Sequence, residues 1–292
     1  MKAVIIGSTG FLGRYLLRRL NTSGANPYGV GSRNVDLTSP SAPMQLRDII
    51  AHGDTLVMIA AITRDKGRDA DTFLRNVQMG AHVAAVIRAG VGHVVYVSSD
   101  AVYGDTPGLP ITEKTPLNPA CLYGAAHVAR EIMLREECSA AGVPLAIVRP
   151  TILYGPGDTH GNYGPNRFFR TAPHGTITLF GAGEERRDLL FVEDAAALLE
   201  RVIATRTTGV FNAATGTSHS FDEMAQMVAA ASPLPVVITS QPRVGAAHIH
   251  RHFDVSALSR AFPDVRYTSL HEGIRQTAAA VFDHAVPSRA QH

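Results

Sequence analysis

At 292 residues, 45% of them apolar and 18% charged, the chain holds enough apolar side chains for one large domain or two coupled ones, which excludes disorder, collagen and coiled coil as descriptions of the whole. The formal net charge of +2 comes from 27 basic and 25 acidic residues that interleave along the chain. No basic stripe of the kind required by nucleic acid or an anionic membrane results, so a small, discrete ligand is the expected partner.

The first apolar run, 3–6, reads as a strand buried on both faces, because consecutive apolar residues leave it no polar side. Gly7 ends the run well short of the ~7–15 residues of a secretory h-region, and no stretch approaches the ~20 apolar residues of a membrane span. A soluble protein is expected. Cys121 and Cys138 are too few for a disulfide framework and have no metal-type spacing, which makes a reducing cytoplasm the expected compartment.

Gly7-x-x-Gly10-x-x-Gly13 follows the strand, and apolar residues at 11, 12, 15, 16, 17 and 20 then make a helical stripe over 11–20. Strand, glycine turn and helix open a βαβ unit. In that setting Gly7 allows a tight turn, Gly10 lets the backbone approach a pyrophosphate and Gly13 lets helix and sheet pack closely, while the helix N-terminus offers N–H groups to the anion. A dinucleotide site is the expectation, with Thr9, Phe11 and Leu12 beside the glycines; ordinary turn glycines are the alternative. A second strand over 28–30 runs into Gly31-Ser32-Arg33, where a carboxylate for a ribose 2′-OH is usual. With none there, Ser32 and Arg33 could bind a 2′-phosphate, which favours NADP over NAD.

Further strands are expected over 55–60, 93–98 and 145–148, and helices over 44–51, 72–89 and 123–141. This alternation predicts an α/β, doubly wound parallel sheet. The segment 154–165 is dense in Gly, Pro, Asp and Asn and reads as a long loop near the carboxyl ends of strands. A strand over 210–213 follows, and Ser220 with Glu223 matches a capping box that opens a helix.

The ordered motifs resemble the extended short-chain dehydrogenase/reductases, specifically the NAD(P)-dependent nucleotide-sugar epimerases, dehydratases and 4-keto-sugar reductases. They include the glycines at 7–13, Asp36-Leu37, Ala60-Ala61, Asn76-Val77, Ser98-Ser99-Asp100-Ala101-Val102-Tyr103-Gly104, Tyr123-Gly124, Arg149-Pro150, Tyr154-Gly155-Pro156-Gly157-Asp158, Arg187-Asp188 and Asn212-Ala213. The resemblance runs over nearly the whole chain. It implies a Rossmann domain over 1–165, with 186–215 returning to it, and a smaller substrate-binding cap from 166–185 and 216–292. It also implies a homodimer through the helices at 72–89 and 123–141.

By the same resemblance Asp36 and Leu37 lie by the adenine, Ala60 and Ala61 line the cofactor, and Asn76 supports it. Tyr123 matches the acid/base and Ser99 the hydrogen-bond donor to the sugar oxygen. The family's Lys, four residues after the Tyr, is replaced by His127. That Lys has two tasks: bonding the nicotinamide ribose, and holding a charge that lowers the phenol pKa from ~10. A neutral imidazole can perform only the first; the second needs imidazolium, a minority form at neutral pH for a group of pKa ~6.5. Only three lysines occur in the chain, and Lys114 is the one nearest Tyr123 in sequence. His127 therefore reads as a functional substitute or as a mark of lost redox activity.

Dehydratase relatives carry Asp-Glu where this chain has Asp100-Ala101, and Ala101 cannot take a proton, which disfavours water elimination. Reduction of a 4-keto sugar on a nucleoside diphosphate is the expected reaction. The alternatives are a nucleotide-sugar 4-epimerase with bound NAD and a non-catalytic NAD(P)-binding sensor. Substrate contacts implied by the resemblance are Asp100, then Leu179 and Phe180 flanking the nucleobase, and Arg187 and Arg243 on the diphosphate. The His248, His250 and His252 imidazoles share one face if extended, but the family needs no metal and none is expected.

Overall fold

The computed structural model describes residues 1–105, 107–160, 164–243 and 248–282. Residues 161–163 of the loop expected over 154–165, and 244–247 and 283–292 of the expected cap, lie outside these. In chain order the elements begin β1 (Ala3–Ile6), α1 (Phe11–Thr22), β2 (Tyr28–Val30), α2 (Ala42–Ile49), β3 (Thr55–Met58), α3 (Ala70–Ala84), β4 (His93–Val97), α4 (Leu122–Ala141) and β5 (Leu145–Pro150). They continue with β6 (Ile152–Tyr154), α5 (Asn166–Thr171), β7 (Thr176–Phe180), β8 (Arg186–Phe191), α6 (Val192–Thr205) and β9 (Gly209–Ala213). The last are β10 (Ser218–Ser220), α7 (Phe221–Ala231), β11 (Val237–Gln241), α8 (Ser256–Ala261) and α9 (Leu270–Phe282).

Six strands form one sheet in the order β2-β1-β3-β4-β5-β9, every neighbouring pair parallel. Strand alternation assigns its side chains to two cores. Ile5, Val57, Val95, Val97, Ala146 and Val148 pack with Leu12, Leu16 and Leu20 of α1 and Leu198, Leu199 and Val202 of α6. On the opposite face Val4, Ile6, Leu56, Met58, Val94, Tyr96 and Ile147 pack with Leu46 of α2, Val83 of α3 and Leu134 of α4. At about 1.5–3 kcal/mol for each fully buried large apolar side chain, these two layers are the main source of the sheet's stability. The chain is thus a doubly wound α/β sandwich, with its helices on both faces.

A three-stranded sheet β10-β8-β6 and a two-stranded sheet β11-β7 lie beside it. Tyr154, Phe168, Phe169, Ile177, Leu189, Phe191, Met224, Val228 and Ile274 make a third core there. The capping box at Ser220 and Glu223 opens α7 as the spacing predicts. Among the described residues no helix is long and apolar enough to cross a membrane.

Several boundaries differ from expectation, the helix expected over 44–51 spanning Ala42–Ile49 among them, and in two elements the local reason is visible. β3 stops at Met58, because the N–H groups of Ile59 and Ala60 both bond Ile6 O and curl the chain over the end of β1. The helix expected over 72–89 starts earlier, where the Asp69 side chain caps Thr72 N–H, and ends at Ala84; a 3-10 turn, Ile87–Ala89, then stops at left-handed Gly90.

Candidate active site

The strand ends that point the same way open onto one cleft of about 690 Å³, lined from Gly7 after β1, Ser32 after β2, Ala60 after β3, Ser99 after β4 and Pro150 of β5. Successive strands are added to one side of β1 and then, from β3, to the other, and ligands of such sheets bind outside the carboxyl ends at that switch point. Gly7, with φ +95°, turns the chain so tightly that a Cβ would stand 2.7 Å from Ala60 N. At Gly13 a Cβ would stand 2.1 Å from Gly7 O, so α1 touches the turn only because position 13 has no side chain. Gly13 therefore acts from behind the cleft, whereas Thr9, Gly10, Phe11 and Leu12 line it. No acidic residue occupies the first turn of α1, leaving its N-terminus open to an anion. These features fit a dinucleotide pyrophosphate.

At the β2 end the wall is Ser32, Asp36, Leu37, Thr38 and, from α3, Arg75. The Asp36 carboxylate accepts from Thr38 N–H and its hydroxyl, at 2.9 and 2.8 Å. Arg33 is exposed and off the cleft wall, because the turn after β2 directs it to solvent. Ala60 and Ala61 line the cleft, but Asn76 does not: its amide clamps the Ile62 N–H and C=O at 2.9 and 3.0 Å and so holds that wall from behind.

Ser99, Asp100, Tyr123 and His127 meet in the cleft. Ser99 caps the 3-10 turn Asp100–Tyr103, its Oγ accepting from Ala101 N–H, and its hydroxyl favours the ionised form of the nearby Tyr123 phenol. Tyr123 and His127 stand one turn apart on α4 with ring centroids 4.6 Å apart, edge to face. Burial pushes the Tyr123 pKa up to about 12, the Arg130 guanidinium opposing it and the Asp100 carboxylate adding to it. His127 Nδ1 lies 2.6 Å from the Tyr96 hydroxyl, while its buried Nε2 has no partner among the described residues. Burial, aided by the nearby Arg130 charge, pushes the His127 pKa well below the ordinary imidazole value, so the ring is neutral. Of the two tasks of the absent lysine, this imidazole can carry the hydrogen bond and not the charge. Lys114 is exposed in the turn 112–115 and off the cleft; Lys66, remote in sequence, stands on its rim.

The end of β4 is fixed by a buried cluster. Arg149 Nε and Nη2 donate to Glu131 at 2.9 and 2.6 Å, and Ser98 Oγ donates to the same carboxylate at 2.6 Å. Burial alone would raise the Glu131 pKa; the Arg149 contacts outweigh it and hold the carboxyl below its usual range. Asp100 lies 3.7 Å from the Arg251 guanidinium, which also donates to Asp100 O and Gly104 O. Asp188 accepts the N–H groups of Thr215 and Gly216 at 2.9 and 2.7 Å, tying β8 to the turn after β9, and burial pushes its pKa up to about 6 against those bonds.

Four expected substrate contacts stand elsewhere. Leu179 is buried in the third core, and Phe180 lies under the Arg167 guanidinium, 4.8 Å from its ring centre. Arg187 and Arg243 both turn to the Glu185 carboxylate, at 3.4 and 2.5 Å, because a buried carboxylate between them satisfies both charges. The cations on the cleft wall are instead Arg14, Arg64, Lys66 and Arg75. The three imidazoles of 248–252 also diverge, His248 to Glu184 and His250 to the Arg186 N–H, with His252 3.4 Å from Ser218 Oγ. Sequence reasoning missed Tyr96 and Arg130; the available signal was that Arg130 stands seven residues after Tyr123, two turns along the same helix face.

The chain matches the NAD dependent epimerase/dehydratase family over residues 3–214. It is 29% identical to a UDP-glucose 4-epimerase of Mycolicibacterium smegmatis over 266 residues, 80% of this chain and 84% of the relative. It is 24% identical to a dTDP-4-dehydro-6-deoxy-D-allose reductase of Streptomyces sp over 308 residues, 94% of each chain. The structure of the Thermus thermophilus UDP-glucose 4-epimerase in complex with NAD superposes with a TM-score of 0.85 at 22% identity, over 98% of this chain and 100% of that one, which is a likeness of fold. With the glycine turn and the parallel sheet already in place, the match over most of its length makes this chain a member of the NAD-dependent epimerase/dehydratase family.

Proposed function

We propose that the protein is an NAD(P)-dependent oxidoreductase that reduces a 4-keto sugar carried on a nucleoside diphosphate. The observation that carries this reading is the meeting of Tyr123, Ser99 and the unpartnered Nε2 of His127 in one cleft beside the glycine turn. When bound, the nicotinamide dinucleotide supplies the hydride. Its pyrophosphate would be held by the turn 7–13 and the first turn of α1. Ser99 donates a hydrogen bond to the keto oxygen, and Tyr123 gives its proton to that oxygen as the carbonyl carbon is reduced. His127 holds the cofactor ribose through Nε2. A phenol with its pKa pushed up to about 12 is protonated at working pH, which suits an acid in the reductive direction.

We assign NADPH as the reductant: Ser32 follows β2 in place of a carboxylate, and Arg75 contributes a cation to the adenosine end of the wall. Reductases of dTDP-4-dehydro-6-deoxy-D-allose that pair with this chain over 94% of both lengths support the direction. We also propose a cytoplasmic homodimer through α3 and α4, whose outer sides carry Leu74 and Ile132, both more than half exposed at 59% and 53%.

A panel of dTDP- and UDP-linked 4-keto sugars with NADPH and NADH, followed at the nicotinamide absorbance, tests the reading. Cofactor consumption only with a keto sugar present, faster with NADPH, is the expected result. A 4-epimerase is the second reading, favoured by the relative at 29% identity. It would instead retain NAD through purification and interconvert sugars with no net cofactor consumption. Cofactor binding without turnover of any sugar would overturn both.

A further inference from the structure

We infer that three fixed side chains, Arg130, Tyr96 and His127, together do the work of the missing lysine. Arg130 supplies the permanent charge beside Tyr123, and Tyr96 holds His127 in the tautomer whose Nε2–H serves the cleft. This deepens the proposed function and rests on Tyr123 being the acid. Tyr96 and Arg130 are positioning residues in it.

Arg130 is only 1% exposed, and its position is over-determined. Its Nε donates to Asn76 O at 2.6 Å, Nη1 to Ala60 O at 3.0 Å and Nη2 to Asn76 Oδ1 at 2.9 Å. All of these acceptors are neutral, so the guanidinium keeps its charge while the end of β3 and α3 hold it still. The neighbouring carboxylate, Glu131, is taken up by Arg149 and Arg135. A guanidinium does not lose its proton in a protein, so the charge beside Tyr123 persists at any working pH.

The direction of the Tyr96–His127 hydrogen bond follows from the charge beside it. The Arg130 guanidinium stands close enough to the Tyr96 hydroxyl to favour its ionised form, and a cation draws the lone pairs of that oxygen towards itself and turns its proton away. The one proton of that hydroxyl then goes to its other neighbour, His127 Nδ1, 2.6 Å away. With Nδ1 accepting, the neutral ring carries its proton on Nε2. That Nε2 is buried, has no partner among the described residues, and belongs to a residue of the cleft wall. A buried donor left unpaired is unfavourable, and a ligand hydroxyl or carbonyl placed there would satisfy it. Asn76 enters through the same group: it anchors Arg130 instead of touching the cofactor.

Long-range proton–nitrogen NMR of the ligand-free protein labelled with ¹⁵N-histidine tests the tautomer without any substrate. The expected wild-type spectrum places His127 as neutral Nε2–H from about pH 6 to 8, across the range where a free imidazole titrates. A ring protonated on Nδ1, or an imidazolium, would overturn the inference. Tyr96→Phe should give a mixture of both tautomers. It should also lower kcat about tenfold, the low end of what an imidazole's orienting partner supplies, with the sugar KM within about twofold. A single unchanged tautomer in Tyr96→Phe would contradict the relay, even if that variant melted earlier. For the charge, Arg130→Met should move the alkaline rise of the oxidative rate to higher pH, while Arg130→Lys, which keeps a cation, should restore it. Identical pH profiles in wild type and Arg130→Met would contradict the assignment. Should Arg130→Met not fold, the profile of Arg130→Lys still decides, since one shifted as far as that of a neutral residue would rule out charge as the cause. If no sugar turns over at all, the proposed function fails, and the ligand-free spectra still decide the relay.

Discussion

Tyr123 sits between effects of opposite sign. Burial and Asp100 favour the phenol, whereas Arg130 and the Ser99 hydroxyl favour the phenolate, and burial wins. With Tyr123 and His127 both neutral at the start, the reductive rate should be nearly flat from about pH 6 to 9. The oxidative rate, which needs the phenolate, should rise about tenfold per pH unit over the same range, because its fraction does so below the pKa. Initial rates in both directions across that range check this, and a plateau below pH 9 in the oxidative limb would show a phenol activated far more than burial allows. His127→Lys should shift that limb to lower pH by placing an ammonium beside the phenol; an unmoved limb would mean that position 127 does not face the reacting oxygen. Tyr123, Ser99 and the glycines were legible in the sequence because their roles rest on neighbours close in the chain. Arg130 was not, since its role comes from Asn76 and Ala60, 54 and 70 residues away.

The elements were mostly legible as apolar runs and stripes, and the misplaced boundaries follow from single hydrogen bonds, such as the Asp69 cap of α3. Close packing of α1 on the glycine turn is the element-scale condition for cofactor binding. Gly13→Ala should therefore weaken dinucleotide affinity at least about tenfold, as titration by cofactor fluorescence would measure, because a Cβ there meets backbone and not a flexible side chain. Gly24→Ala, where a Cβ meets nothing within 4 Å, should leave affinity unchanged. The tie between β8 and the turn after β9 makes a pH prediction. The folded-state pKa of Asp188 is raised to about 6 from 3.8, so its contribution is fully present below the unfolded value and is lost as pH rises through about 6. Asp188→Asn should lack this dependence, so the melting temperature of the wild type relative to the variant should fall between about pH 4 and 6. Parallel melting curves for the two proteins would contradict a buried, elevated carboxyl.

Across the whole molecule, the sheet gathers the ends of five parallel strands into one cleft, and the segments after Pro150 add a third core at its side. The fold class was readable because strand–helix alternation and apolar periodicity extend over the chain. The substrate arginines were not, because whether Arg187 and Arg243 reach a diphosphate depends on where Glu185 lies in space, and it stands between them. Which sugar enters depends on surfaces with no short sequence signature. The proposed reaction is hydride transfer to a sugar carbon in a cleft whose acid is Tyr123. The most direct test uses NADPH carrying deuterium at the transferable position of the nicotinamide, with a dTDP-linked 4-keto-6-deoxy sugar and the product read by mass spectrometry and NMR. One deuterium at sugar C4 for each NADPH consumed, lost in Tyr123→Phe with cofactor binding intact, is the predicted result; interconversion of 4-hydroxy sugars with no cofactor consumed and no deuterium at C4 would contradict it.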